Sequence, residues 1–150
     1  MAYASRTELS ERLGATLYAR LTDRVSGTTA DDAVADRIVA EAEAEADSYL
    51  AVRYATPIDL MLHPELGEVL RQRVLDLAEY IAWRSSPFVA DLPGRVEALY
   101  AEARAWFSAV GTGRLSLPAV TPPAGRVAAD DSPRYRASPR RFTAEELEGL

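Results

Sequence analysis

The sequence predicts an all-α fold: a helical bundle of about four to five helices, followed by a long extended C-terminal arm that ends in a short helix. Up to about residue 112, apolar residues recur in steps of three and four, the spacing of one helix face. No segment before that point sustains strand-like alternation between turn signals. After Leu117 the composition changes. Five of the nine prolines lie between Pro118 and Pro139 and apolar residues thin to singles, so this stretch cannot bury enough surface to fold by itself. The chain therefore divides into a helical body, residues 1–117, and an arm, residues 118–150.

Within the body, Thr7 reads as the N-cap of a short helix from Glu8 to about Leu13, closed by Gly14, with a second short helix from about Ala15 to Leu21. The polar stretch TDRVSGTTADD, residues 22–32, reads as a loop ending in an N-cap at Asp31 or Asp32. A long helix without Gly or Pro then runs to Tyr54, with Val34, Ile38, Ala42, Tyr49 and Leu50 near helical spacing. Pro57 stops it. The connector TPIDLMLHPEL leads to a helix that starts at Pro64 or Glu65 and continues to about Arg84. Leu66, Leu70, Val74, Leu77 and Ile81 form its apolar stripe and make it central to the core, with Arg71, Arg73, Asp76 and Glu79 expected mostly elsewhere around it. A last helix from about Gly94 to Val110 carries Val96, Leu99, Ala103, Trp106 and Val110 on one stripe.

Composition excludes several chemistries. With no cysteine there are no disulfides, thiolate nucleophiles or Cys-ligated metals, and the reading defaults to a cytosolic protein. All 17 basic residues are arginine, so a Walker A lysine or a Schiff base is impossible. No stretch approaches the roughly 18 apolar residues of a membrane span. The net charge of −6 argues against general nucleic-acid binding, which needs a basic face. That charge is uneven: residues 126–141 hold five Arg against two Asp, a basic strip on an acidic chain.

No catalytic constellation emerges. In the run EAEAEAD, Glu41 and Glu45 share one helix face while Glu43 and Asp47 share another, so the run reads as a solvated face or one turned toward a partner's arginines. His63, the single histidine, reads as a surface or loop-anchoring residue, and Trp83, Trp106 and Phe107 as core. Asp23, Asp31 and Asp32 are too widely spaced for a calcium loop. The protein is expected to be no enzyme and to hold no cofactor or metal.

The opening MAYASRTEL, the LTDR at residues 21–24 before a Gly-containing loop, ADDAVADRIVAEAEAEADSYLAVRY through Tyr54, the leucine-rich connector after it and the closing RRFTAEEL together resemble the small head-completion or neck proteins of Mu-like and related tailed bacteriophages. The resemblance spans nearly the whole chain. It implies a helical connector subunit of a homo-oligomeric ring, usually taken as a dodecamer, between the portal of the DNA-filled head and the tail. The implied partners are the portal protein, a tail-side neck or tail-terminator protein, and further copies of the chain. DNA would pass through the channel without specific binding. The protein would be made in the host cytoplasm and reside in the virion neck, with no membrane contact. Relatives often carry a calcium-loop-like sequence after LTDR, where this chain has VSGTTA. The rival class is a small acidic helical binding module or regulator whose C-terminal tail folds on a cellular partner.

The arm carries the candidate interaction residues. Thr143 as N-cap places Glu146 at N3 of a capping box and sets Phe142 against Leu147 as a hydrophobic staple. A helix this short is marginal in water, so it is expected to dock. Phe142, Leu147 and Leu150 would enter an apolar groove, while Arg134, Arg136, Arg140 and Arg141 meet carboxylates; Tyr135 is counted with these interaction residues.

Overall fold

The computed structural model describes residues 2–118 and residue 120, which form five α-helices and no strand among them. The helices are α1 (Arg6–Leu13), α2 (Ala15–Thr22), α3 (Asp32–Leu50), α4 (Gly67–Ser85) and α5 (Gly94–Gly111), with a 3-10 turn at Pro64–Leu66 before α4. The predicted C-terminal helix lies outside the described residues.

Helix α1 starts two residues earlier than expected, on Ser5 rather than Thr7. Ser5 Oγ accepts from the Glu8 amide at 3.3 Å and Glu8 Oε2 accepts from the Ser5 amide at 2.8 Å, a reciprocal capping box. Thr7 has Ser10 three residues on, which has no carboxylate to return the bond. Gly14 ends α1 at φ 77°, its amide donating to the Ser10 carbonyl at 2.8 Å, and α2 begins at the next residue. This positive φ makes the elbow a glycine position.

Asp31 caps α3, accepting from the amides of Ala33 at 3.0 Å and Val34 at 3.1 Å. The helix ends at Leu50, short of the expected Tyr54. Residues 51–54 tighten into a turn that swings Tyr54 into the core, fully buried, with its amide donating to the Leu50 carbonyl at 2.8 Å.

Helices α3, α4 and α5 pack mutually, and α1 and α2 lie on α3 and α4. Burial explains the centrality of α4: beyond the predicted Leu70, Val74, Leu77 and Ile81, it also buries Leu75, Ala78 and Ala82. Each fully buried Leu or Val side chain contributes about 1.5–3 kcal/mol of apolar transfer free energy. Asp76 and Glu79, expected on the outer side, are also buried, at 6% and 4% exposure. On α5 the stripe turns toward Phe107, which is fully buried, while Trp106 and Leu99 are half-buried at its margin.

The helices alternate in direction. Ser85 at the end of α4 meets Arg24 beside the start of α3, and Tyr80 of α4 stacks on Tyr100 of α5 with centroids 3.7 Å apart. One end of the bundle thus gathers the C-termini of α3 and α5 with the N-terminus of α4. Gly111 fixes that end: a β-carbon there would lie 2.5 Å from the Tyr49 carbonyl oxygen. Gly111→Ala should lower stability by about 1–3 kcal/mol through forced separation of α3 and α5. A reduced thermal midpoint with native helicity checks it.

Candidate interaction surfaces

The LTDR stretch builds a clamp at the end of the bundle opposite Gly111. Leu21 is fully buried. Thr22 Oγ1 donates to the Tyr18 carbonyl at 2.8 Å and accepts from the Asp31 amide at 3.1 Å, closing the loop at its base. Asp23 gathers the loop around its carboxylate, accepting from the Ser26 hydroxyl at 2.6 Å and from the amides of Val25, Ser26, Thr28 and Thr29 at 2.7–3.2 Å. Arg24 donates to the Ser85 carbonyl and, at 3.0 Å, to its hydroxyl, tying the loop to α4. Gly27, at φ 71°, lets the loop lie against the Phe88 ring.

These donors, the Ser26 hydroxyl foremost and then the backbone amides of Val25, Thr29 and Thr28, hold the Asp23 carboxyl far below the usual carboxylate range. Its oxygens therefore face five donors of its own loop. No cluster of potential metal ligands occurs among the described residues.

Three of the four carboxylates in the acidic run of α3 are half-buried and hydrogen-bonded within the chain, rather than free on a solvated or partner-facing surface. Glu43 accepts from the amides of Tyr3 at 2.5 Å and Ala4 at 3.1 Å, and Asp47 accepts from the Tyr3 hydroxyl at 2.7 Å. That hydroxyl in turn accepts from the Ile58 amide at 2.7 Å, so Tyr3, 3% exposed, pins the N-terminal segment and the α3–α4 connector to α3. Glu45 accepts from the Tyr100 hydroxyl at 3.2 Å and pairs with Arg104 at 3.4 Å. Glu41 is the exposed member. The amphipathic pattern could not show this, because the donors come from residues about 40 to 55 positions away.

Two tyrosines make these contacts pH-sensitive. Burial, then the hydrogen bond to Asp32 at 3.1 Å, pushes the Tyr18 hydroxyl up to about 12. Burial, then Asp47, drives Tyr3 higher still. Both are held neutral in the fold, so their contribution is complete below the ordinary tyrosine pKa of about 10 and is lost as pH rises through the folded values. Asp23 acts oppositely: its contribution is complete above about pH 4 and lost as pH falls. Urea midpoints should therefore decline above about pH 10, and Tyr18→Phe should flatten that decline between about pH 10 and 12.

A third polar cluster lies between α1, α4 and α5. Arg12 donates to Asp76 at 2.6 Å and Glu79 at 2.7 Å, with Arg73 3.6 Å from Asp76 and Arg95 3.4 Å from Glu79. The open groove above it holds Arg71 bound to Glu8 and Glu68, each at 2.9 Å. Both signs are internally paired, so the groove offers no single-signed field to a ligand.

The end of the bundle at which the described residues stop is apolar. Leu117 is buried there, its amide donating to the Tyr54 hydroxyl at 3.1 Å, and Val120 packs on the core. Of the five large apolar side chains that stand exposed among the described residues, Val52, Met61, Leu62 and Leu115 belong to the segments gathered at this end, and Val25 tips the clamped loop at the other. His63 helps fold the Met61–Leu62 turn, its amide donating to the Asp59 carbonyl at 3.0 Å. The arm residues singled out in the sequence, Arg134 through Leu150, lie outside the described residues.

Fold and surfaces together define an all-α bundle whose two ends differ in kind, one a hydrogen-bonded loop and the other an apolar surface at which the described residues stop. No helix among the described residues is long and apolar enough to cross a membrane. The family model described as Bacteriophage Mu, Gp36, matches residues 3–133, and the chain belongs to that family. It is thus a protein of a bacteriophage family, which points to a structural or morphogenetic role. No curated protein matches the chain.

Proposed function

We propose that the protein is a structural subunit of the phage neck, a head–tail connector that assembles into a ring, joins the portal to the tail and carries out no catalysis. The observation that carries this reading is the polarity of the body: an apolar end, at which the described residues stop, opposite a hydrogen-bonded clamp. Membership of a phage family across residues 3–133 supports it, and so does the acidic charge of residues 1–117, with 12 Arg against 18 Asp and Glu. A channel past which phosphates must slide is served by acidic or neutral walls. On this reading the body packs beside its neighbours, twelve to a ring as the family resemblance implies, and the arm reaches across to a second subunit or ring.

Electron microscopy and light scattering of the chain, alone and with portal protein, test the proposal. A closed ring, or a portal complex, is expected. A chain that stays monomeric with portal present, in cells whose phage still joins heads to tails without it, would sink the reading.

A further inference from the structure

We infer that the apolar end of the body is the seat of the terminal segment, residues 139–150, of a neighbouring copy; the inference rests on the connector reading above. Met61 and Leu62 stand side by side at 76% and 73% exposure. The turn that presents them is fixed by its own hydrogen bonds. Asp59 Oδ1 accepts from the Met61 amide at 2.9 Å, and the Asp59 carbonyl accepts from Leu62 at 3.2 Å and His63 at 3.0 Å. A surface already ordered loses little freedom when a partner covers it. Val52, 65% exposed, lies beside Gly111 at the same end, where Leu115 is also exposed.

Charge selects the occupant. The exposed carboxylates of Asp59 and Glu65 flank the Met61–Leu62 pair, giving an apolar surface with an acidic margin. The terminal segment has the complementary order: Arg140 and Arg141 immediately precede the apolar Phe142, Leu147 and Leu150. The acidic stretch of α3 serves less well, because Glu43, Glu45 and Asp47 are half-buried and hydrogen-bonded within the body, whereas Asp59 and Glu65 stand exposed.

Reach favours a neighbour over the same chain. The arm departs at Leu117–Val120, and the 21 residues from 121 to 141 span about 65 Å when extended at roughly 3.1 Å per residue. The 19 residues of α4 span about 29 Å at roughly 1.5 Å per residue. A proline-rich segment more than twice as long as its own bundle serves a seat on the next subunit without doubling back.

The chain has no cysteine, so paired substitutions report the contact cleanly. One full-length chain carries Met61→Cys, a second carries Leu147→Cys, and the two are mixed, assembled with portal-containing heads and oxidised. A disulfide-linked dimer is expected, at least tenfold more abundant than from a Val25→Cys and Leu147→Cys mixture, since Val25 sits at the opposite end. Equal yields from the two mixtures would overturn the seat, as would linkage only within a single chain carrying both substitutions; if heads still join tails, the connector reading survives either result. Should the cysteine variants fail to assemble, Asp59→Arg with Glu65→Arg replaces them. Assembly is expected to fall at least tenfold and to recover when Arg140→Glu and Arg141→Glu are added, and absence of the loss or of the recovery overturns the seat. A wild-type chain that forms neither ring nor portal complex fails the connector reading instead.

Discussion

Arg12→Ala is expected to remove about 3–5 kcal/mol of stability, because it strips two buried carboxylates of their nearest cation. Arg12 lies 2.6 Å from Asp76 and 2.7 Å from Glu79, whose side chains are 8% and 5% exposed. Arg73 and Arg95 are more distant from the same pair, at 3.6 and 3.4 Å, and Arg95 is 75% exposed, so neither compensates at short range. Against a total stability of about 5–15 kcal/mol for a single domain, this loss brings the variant close to unfolding at 37 °C. Chemical denaturation at neutral pH measures it. Replacing Arg12, Asp76 and Glu79 together by leucine should recover most of the loss, because no unpaired buried charge remains. If the triple variant is as unstable as Arg12→Ala, the charges are not the cause.

That network also shows what a sequence can and cannot disclose. The stripe of α4 was legible because Leu66, Leu70, Val74, Leu77 and Ile81 repeat at helical spacing, and all are buried. Asp76 and Glu79 read as outward-facing by the same rule. What buries them is Arg12, 64 and 67 positions earlier, and local periodicity carries no trace of a partner so distant. The acidic run of α3 misled for the same reason, since Tyr3 and Tyr100 supply the donors that turn its carboxylates inward. Ser5 offers the opposite case: its spacing to Glu8 is a local capping signal, present in the sequence and assigned instead to Thr7.

The two ends of the body assign work to different parts of the family-like segments. MAYASRTEL supplies the Tyr3 pin and the Ser5 cap, and LTDR supplies the loop clamp, so both act within the subunit. Their contacts are hydrogen bonds to backbone and side chains of the same chain, which leaves little polar capacity for an outside partner. The Met61–Leu62 turn differs, because its side chains have no apolar cover from the body and its backbone is already ordered. On the connector reading proposed above, contact with other copies is therefore better sought at the connector and the arm than at the more conspicuous LTDR loop.

Phe142→Ala combined with Leu147→Ala should leave the body folded and yet abolish the joining of heads to tails. The body's core closes without these residues: Tyr54, Phe107, Leu70 and Leu77 are fully buried among the described residues, and Leu117 seals the arm-exit end. Helicity per residue and the thermal midpoint should consequently match those of the unsubstituted chain. Assembly is another matter. Phe142 and Leu147 are the two sides of the predicted staple, and a two-turn helix without its staple or a docking surface is too short to persist in water. On the docking reading, losing both side chains would remove the apolar anchors and the staple together, and ion pairs of Arg140 and Arg141 at a salt-screened surface would contribute only about 0–1 kcal/mol each. Counting joined and tailless particles by electron microscopy after complementation with the variant gives the result directly, with joined particles expected to fall at least a hundredfold. Normal numbers of joined particles would remove the terminal segment from the mechanism; a fall accompanied by a lower thermal midpoint would assign the defect to the fold instead.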